Sequence, residues 1–195
     1  MSDHVKSFFG KISQVAEQID TESIEDAVQL LAEAYTCKSR VFVLGVGGSA
    51  GNASHMVNDL RKLCGLEAYA PTDNVSELTA RTNDEGWETV FSEWLKVSHL
   101  DALDVIVILS VGGGSRERKI SMNLVNAIQY AQGIGCNIIS IVGKPDGYAA
   151  KSSTVTILIP QVDPNLITPI SEGYQAIVWH SMVSHPDLQV KKTTW

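Results

Sequence analysis

The stretch VFVLGVGGSAGNASHMVNDLRK, residues 41–62, joins an apolar run to a cluster of glycines and then to a polar helical pattern. Val41 to Leu44 are the β-branched and large apolar residues that suit a strand buried on both faces. Gly45, Gly47, Gly48 and Gly51 follow, small enough for a tight turn and for backbone N–H groups to approach an anion. Ser49 adds a hydroxyl at the helix start. His55 and Asp59 then stand four apart, on one helix face and about 40° apart round its axis. That is the local geometry of a two-ligand half-site for zinc or a similar ion.

Outward from this stretch the same texture recurs. DVIVILSV (104–111), NIISIVG (137–143) and TVTILIP (154–160) are short Val- and Ile-rich runs, and EAYAP (67–71) adds a shorter one. Helices are predicted between them at about 49–64, 87–98, 116–132 and 168–184. Residues 4–36 also read as helical: Ile24, Ala27, Val28, Leu31 and Ala34 recur at helical spacing behind a cap at Asp20 or Thr21. Alternating strands and helices predict an α/β doubly wound sheet covered on both faces. We expect one domain over 1–195, with N-terminal helices at 1–36 and an α/β core at 40–185.

Composition narrows the function classes. Hydrophobic residues make up 44% and charged residues 19% of 195, a globular balance. A net charge of −7 gives non-specific nucleic-acid binding no global electrostatic support, so no direct nucleic-acid partner is expected. Cys37, Cys64 and Cys136 are odd in number and lack CxxC spacing, which fits reduced thiols in a cytoplasmic protein. The first twenty residues show no apolar leader core, and no apolar run approaches a membrane span.

In open parallel sheets, ligands bind beyond the carboxyl ends of strands, where loops lead into helices. Two such ends here are glycine-rich: GVGGSAGN (45–52) and SVGGGSRER (110–118), the second with Ser110 and with Ser115 expected to open a helix. Together they point to an anion site. Neither is a P-loop, since no Gly-Lys-Ser/Thr follows. The first has Ala50 at the third position of GxGxxG, and no ribose-binding acid follows a second strong strand about 20 residues on. A sugar phosphate suits these loops better than a nucleotide.

Further candidates lie downstream. TPISEGYQAIVWHSMV (168–183) carries Glu172 and His180 two turns apart, about 12 Å along a helix, so that both reach one ion only by converging from opposite ends or serve different subunits. In TARTNDEGWETVF (79–91), Asn83 and Asp84 stand before a helical run, as a cap or as acceptors for sugar hydroxyls. His4, His99 and His185 read as solvated, and Cys64 as a small core residue.

In order, these motifs resemble the sugar isomerase (SIS) domain family and, within it, the phosphoheptose isomerases. The resemblance spans nearly the whole chain. It rests on GVGGSAGNASHMVNDL, ARTNDEGWETVF, LSVGGGS and TPISEGYQAIVWH. It implies a doubly wound, mainly parallel, flavodoxin-like sheet, the SIS fold, with an N-terminal helical extension. It implies interconversion of sedoheptulose 7-phosphate and D-glycero-D-manno-heptose 7-phosphate in homotetramers with active sites at subunit interfaces, each subunit holding one zinc or another divalent metal. The metal ligands implied are His55, Asp59, Glu172 and His180, with Asp59 and His180 as the acid–base pair. Gly47, Gly48, Ser49, Ser110 and Ser115 would face phosphate and sugar; Asn83, Asp84 and Glu172 would contact substrate.

The chain departs from the family pattern at definite positions. Val46 replaces an Asn, Asp59 a Glu and Glu172 a Gln, while Val111 and Gly112 replace hydroxyl residues of the phosphate loop. The two changes among the ligands keep four metal-competent side chains and add a negative charge, which favours a divalent cation. The altered loop leaves open two alternatives. One is an isomerase of another phosphosugar; the other is a non-catalytic SIS protein of the type that binds a replication initiator.

Overall fold

The structure, a computed structural model, describes residues 3–190. Five parallel strands form one sheet: β1 (Arg40–Gly45), β2 (Glu67–Tyr69), β3 (Val105–Ser110), β4 (Asn137–Val142) and β5 (Val155–Leu158). Their order across the sheet is β2-β1-β3-β4-β5, all pairs parallel. The side-chain period of two decides the layers. Val41, Val43, Val105, Val107, Leu109, Ile139 and Ile141 enter one core. Phe42, Leu44, Ile106, Ile108, Ile138 and Val142 enter the other. Both faces are therefore apolar, which is why these strands read as unbroken hydrophobic runs.

Four helices cover the first core: α1 (His4–Gln18), α2 (Thr21–Cys37), α3 (Gly48–Lys62) and α8 (Ile167–Val183). Asp20 caps α2 by accepting from the Glu22 amide at 3.0 Å. The Tyr174 hydroxyl on α8 donates to the Ile12 carbonyl, so the leading helix is tied to the last. The second core is covered by α5 (Val90–Val97), α6 (Met122–Ile134) and α7 (Tyr148–Ser152), with α4 (Val75–Asp84) at its margin. At the amino ends of β1 and β3, Asp104 accepts from the Arg40 backbone N–H at 2.9 Å and from its Nη2 at 2.6 Å. Hydrogen bonding to Asp104 pushes the Arg40 pKa upward.

Two sequence expectations are corrected. The helix expected over 116–132 begins only at Met122. Ser115 and Ile120 instead exchange backbone hydrogen bonds of 2.9 Å each, and Lys119 and Ser121 adopt left-handed φ of 52° and 48°. Ser115 therefore closes a small loop rather than opening a helix. Asn83 and Asp84 do stand before a helix, α5, but they end α4 (Val75–Asp84) and do not cap α5, whose N-cap position is Thr89. No residue of α4 is fully buried and Leu78 alone packs against the second core, so its apolar pattern is too sparse to read. It is held by an Asn74 cap accepting from Glu77 N–H at 3.2 Å and by Arg81 bridging Glu77 and Glu85 at 2.9 and 3.0 Å.

Candidate active site

The chain leaves β1 for β2 on one side and reaches β3 on the other, so β1 and β3 flank the point where strand order reverses, the place where such sheets hold ligands. Gly45 pairs with Leu109 in register, so the two glycine-rich loops leave the sheet side by side. The loop after β1 turns at Gly47, whose φ of 63° favours glycine, and enters α3 at Gly48. A Cβ at Gly48 would lie 2.6 Å from Oε2 of Glu172. The Glu172 carboxylate thus lies against the first turn of α3, where the helix dipole favours negative charge.

The serines expected to meet phosphate are engaged within the chain. Buried Ser49 donates to Gln175 Oε1 at 3.0 Å, and Asn52 Nδ2 reaches the same oxygen at 3.0 Å and the Glu172 carbonyl at 2.9 Å. These bonds lock α3 to α8. Ser110 Oγ accepts from the Gly113 amide at 3.0 Å, shaping the second loop, and Ser115 Oγ accepts from Arg118 N–H at 3.2 Å. Asn83 Nδ2 donates to Asp84 Oδ1 at 2.7 Å on the exposed end of α4. Asn52 and Gln175 escaped the sequence reading. The usable signal was their spacing, each three residues after a residue already singled out (Ser49 and Glu172).

The helix pair α3 and α8 brings His55, Asp59 and His180 together, with one ligand atom from each lying within 4.8 Å of the others. Asp59 Oδ2 is 3.8 Å from His55 Nε2 and 3.8 Å from His180 Nε2. Asp59 is buried, and its Oδ2 has no hydrogen-bond partner, while Asn58 Nδ2 donates to Oδ1 at 2.7 Å. A buried carboxylate oxygen left unpaired is costly, and the charge calls for a cation. His180 Nδ1 lies 2.7 Å from the Ala176 carbonyl. Donation from Nδ1 to that carbonyl turns Nε2 toward Asp59, and a histidine that ligates a metal through one nitrogen is held in this way by the other. The His180 ring stacks on Trp179 at 3.6 Å, and His55 meets the same indole edge-on at 4.7 Å. Ligands of a tetrahedral ion bound at about 2 Å sit about 3.3 Å from one another, so a small inward shift of these side chains, whose ligand atoms lie within 4.8 Å of each other, would fit the set to a divalent metal of the zinc type.

Glu172 is not part of this group; two turns from His180, it stays at the α3 N-terminus. Cys64, behind Asp59, is pushed up to about 11 by burial and then by the Asp59 charge, and its Sγ faces the Val183 carbonyl at 3.7 Å. It is an inert core thiol. Beside the two glycine-rich loops, on the α5–α6 face, lies a cleft of about 660 Å³ lined by Val46, Trp87, Arg116, Lys119, Ser121 and Asn123, with Glu88 and Met122 completing it.

A doubly wound parallel sheet with paired glycine-rich loops at its switch point and a His–Asp–His group describes a ligand-binding α/β protein, and the chain belongs to the SIS domain family, which it matches over residues 7–143. Its relatives include phosphoheptose isomerases: it is 33% identical over 187 residues to the phosphoheptose isomerase of Geotalea daltonii, covering 91% of this chain and 92% of that one. It is also 28% identical over 188 residues to the lincomycin biosynthesis protein LmbN of Streptomyces lincolnensis, covering 93% of this chain and 68% of the other. The structure of phosphoheptose isomerase GmhA from Neisseria gonorrhoeae superposes with a TM-score of 0.80 at 24% identity, over 93% of this chain and 96% of that one. No helix among the described residues is long and apolar enough to cross a membrane.

Proposed function

We propose that the chain is a metal-assisted ketose–aldose isomerase interconverting sedoheptulose 7-phosphate and D-glycero-D-manno-heptose 7-phosphate. The observation that carries this reading is the unpaired, buried Asp59 Oδ2 between two histidine Nε2 atoms. The 33% identity to a phosphoheptose isomerase over nearly the full chain supports the substrate. His55, Asp59 and His180 would hold one zinc or another divalent ion. When bound, that ion would polarise the substrate carbonyl and hold its oxygens.

The reaction moves a proton between neighbouring carbons through an enediol(ate), which needs a base at carbon and an acid at oxygen. Asp59 and His180 are the pair for these roles. They stand side by side on facing helices, and packing fixes both: Asp59 is buried, and His180 is held by the Ala176 carbonyl and the Trp179 ring. With Nδ1 of His180 donating to the Ala176 carbonyl, its proton would move through Nε2, so ion holding and proton transfer would be alternative uses of that atom. Glu172 would meet sugar hydroxyls at the α3 N-terminus, with the backbone of Gly47 and Gly48 beside them.

Assembly is the remaining part of the proposal. The His55 side chain is 57% exposed, and Ile177, three residues before His180, is 52% exposed. A second subunit would cover both, as expected for a homotetramer with sites at its interfaces. Turnover of sedoheptulose 7-phosphate by purified protein, with chelator and with added zinc, tests the reading. Metal-dependent formation of an aldoheptose phosphate upholds it. Tightly bound metal without turnover moves the reading to another phosphosugar, and no turnover with no metal bound overturns it.

A further inference from the structure

We propose that Gln175 is a positioning residue: its buried carboxamide oxygen sets the register of α8 on α3 and so holds His180 against His55 and Asp59. The inference takes the use of those three side chains, holding a divalent ion, from the reading above; the lock itself stands on separate observations. Gln175 lies inside α8, fully buried, three residues after Glu172 and five before His180. Its Oε1 accepts from Ser49 Oγ at 3.0 Å and from Asn52 Nδ2 at 3.0 Å, both in the opening turns of α3. Asn52 Nδ2 also donates to the Glu172 carbonyl at 2.9 Å.

The group has one consistent assignment of donors. A backbone carbonyl only accepts, so Asn52 turns its Nδ2 toward Glu172. The second hydrogen of that amide goes to Gln175, which must present oxygen; the reverse orientation would set one NH2 group against another. Ser49 in turn donates its hydroxyl. Gln175 Nε2 is left buried without a hydrogen-bond partner. An unsatisfied buried donor is costly, and the fold bears that cost for the two bonds at the oxygen.

Elsewhere α3 and α8 contribute apolar residues of the first core, such as Met56, Leu60, Val178 and Met182. Apolar contact is non-directional and tolerates sliding and rotation, whereas one oxygen shared by two donors fixes a register. The lock lies close to the side chains it would align. Asn52 precedes His55 by about 4.5 Å along the helix axis, and Gln175 precedes His180 by about 7.5 Å. A slip of α8 at Gln175 therefore carries His180 Nε2 away from Asp59 Oδ2, now 3.8 Å distant. Ligating groups must be placed to within about 0.5 Å, so a small slip is enough to spoil the set.

Zinc, titrated calorimetrically into the full-length chain after chelator dialysis, is the probe. Gln175→Met keeps the length of the side chain and removes the acceptor; it is expected to weaken zinc affinity about tenfold. Asn52→Leu acts through the same oxygen from the other helix and serves if Gln175→Met does not fold. The double variant should lose no more zinc affinity than the weaker-binding single variant. Ile170→Ala, a core truncation in the first turn of α8 outside the network, should lower Tm and leave zinc affinity within about twofold. With a turned-over sugar phosphate at saturating zinc, Gln175→Met lowers kcat and leaves KM nearly unchanged, since His180 acts in the transition state. Unchanged zinc affinity in Gln175→Met and Asn52→Leu overturns the proposal, and so does an equal loss in Ile170→Ala; both results leave the metal site standing. A wild-type chain that takes up no zinc overturns the metal reading, and the positioning role with it. Zinc affinity is read without turnover, so a chain that shows the expected losses and isomerises nothing refutes the isomerase reading alone.

Discussion

Replacing Asp59 by Asn separates a metal centre from an ordinary polar cluster, because the two readings predict different signs. Asp59 Oδ2 is buried without a hydrogen-bond partner, 3.8 Å from each histidine Nε2 and beyond hydrogen-bond reach. An unsatisfied buried acceptor costs about 1–3 kcal/mol, more when charged. Asn is nearly isosteric, keeps an oxygen for the Asn58 amide, and removes the buried charge. Without metal, Asp59→Asn should therefore raise the unfolding free energy by about 1–2 kcal/mol, or about 2–8 °C in Tm for a chain of this size. With zinc the order reverses. A metal at a hundred times its Kd adds about 2.7 kcal/mol to the wild type, about 5–11 °C, while the variant lacks the anionic ligand and gains little. The assay is thermal unfolding of both proteins after chelator dialysis and after zinc addition. A variant that is less stable than wild type under both conditions, together with a wild type indifferent to zinc, would refute the metal reading.

Three other outcomes follow from the same geometry. His180→Gln should cut turnover by about 10²–10⁴-fold, the range for removing a general acid–base group, and unchanged turnover in a steady-state assay would remove His180 from the acid–base role. Gly48→Ala places a Cβ 2.6 Å from the Glu172 carboxylate, the far end of a flexible side chain that can swing aside, so it should cost only about 0.5–1.5 kcal/mol in denaturant unfolding. A larger loss that Glu172→Ala in the same chain does not restore would show that this contact is not its origin. A thiol reagent near neutral pH should modify exposed Cys37 in the native protein and spare Cys64 and Cys136, whose thiols burial pushes up to about 11 and about 12. Because both values are raised, the protected thiols become reactive only as pH climbs toward those values, and equal labelling of all three at neutral pH would contradict the packing.

The sequence by itself determined the sheet and pointed to three residues, His55, Asp59 and His180, that the fold brings together. Strands buried on both faces must be apolar at every position, so β1, β3, β4 and β5 stand out as unbroken runs. Glycines at their carboxyl ends and a histidine and acid four apart are local patterns set by backbone geometry. Helix α4 was invisible for the same reason in reverse: held by a cap and surface ion pairs, it buries no residue fully and lays only Leu78 against the second core. Tertiary structure decided what is non-local. The contact between α3 and α8 sets His180, rather than Glu172, beside His55 and Asp59, because helix rotation and crossing depend on how Trp179 and Met56 fill the core. The same packing turns Ser49 inward to Gln175. It also leaves Asn123 with a buried unpaired donor in a cleft whose other walls, Val46 and Trp87, come from distant parts of the chain. Hydrogen-bond satisfaction in a folded core depends on every neighbour at once, and no stretch of sequence contains all of them.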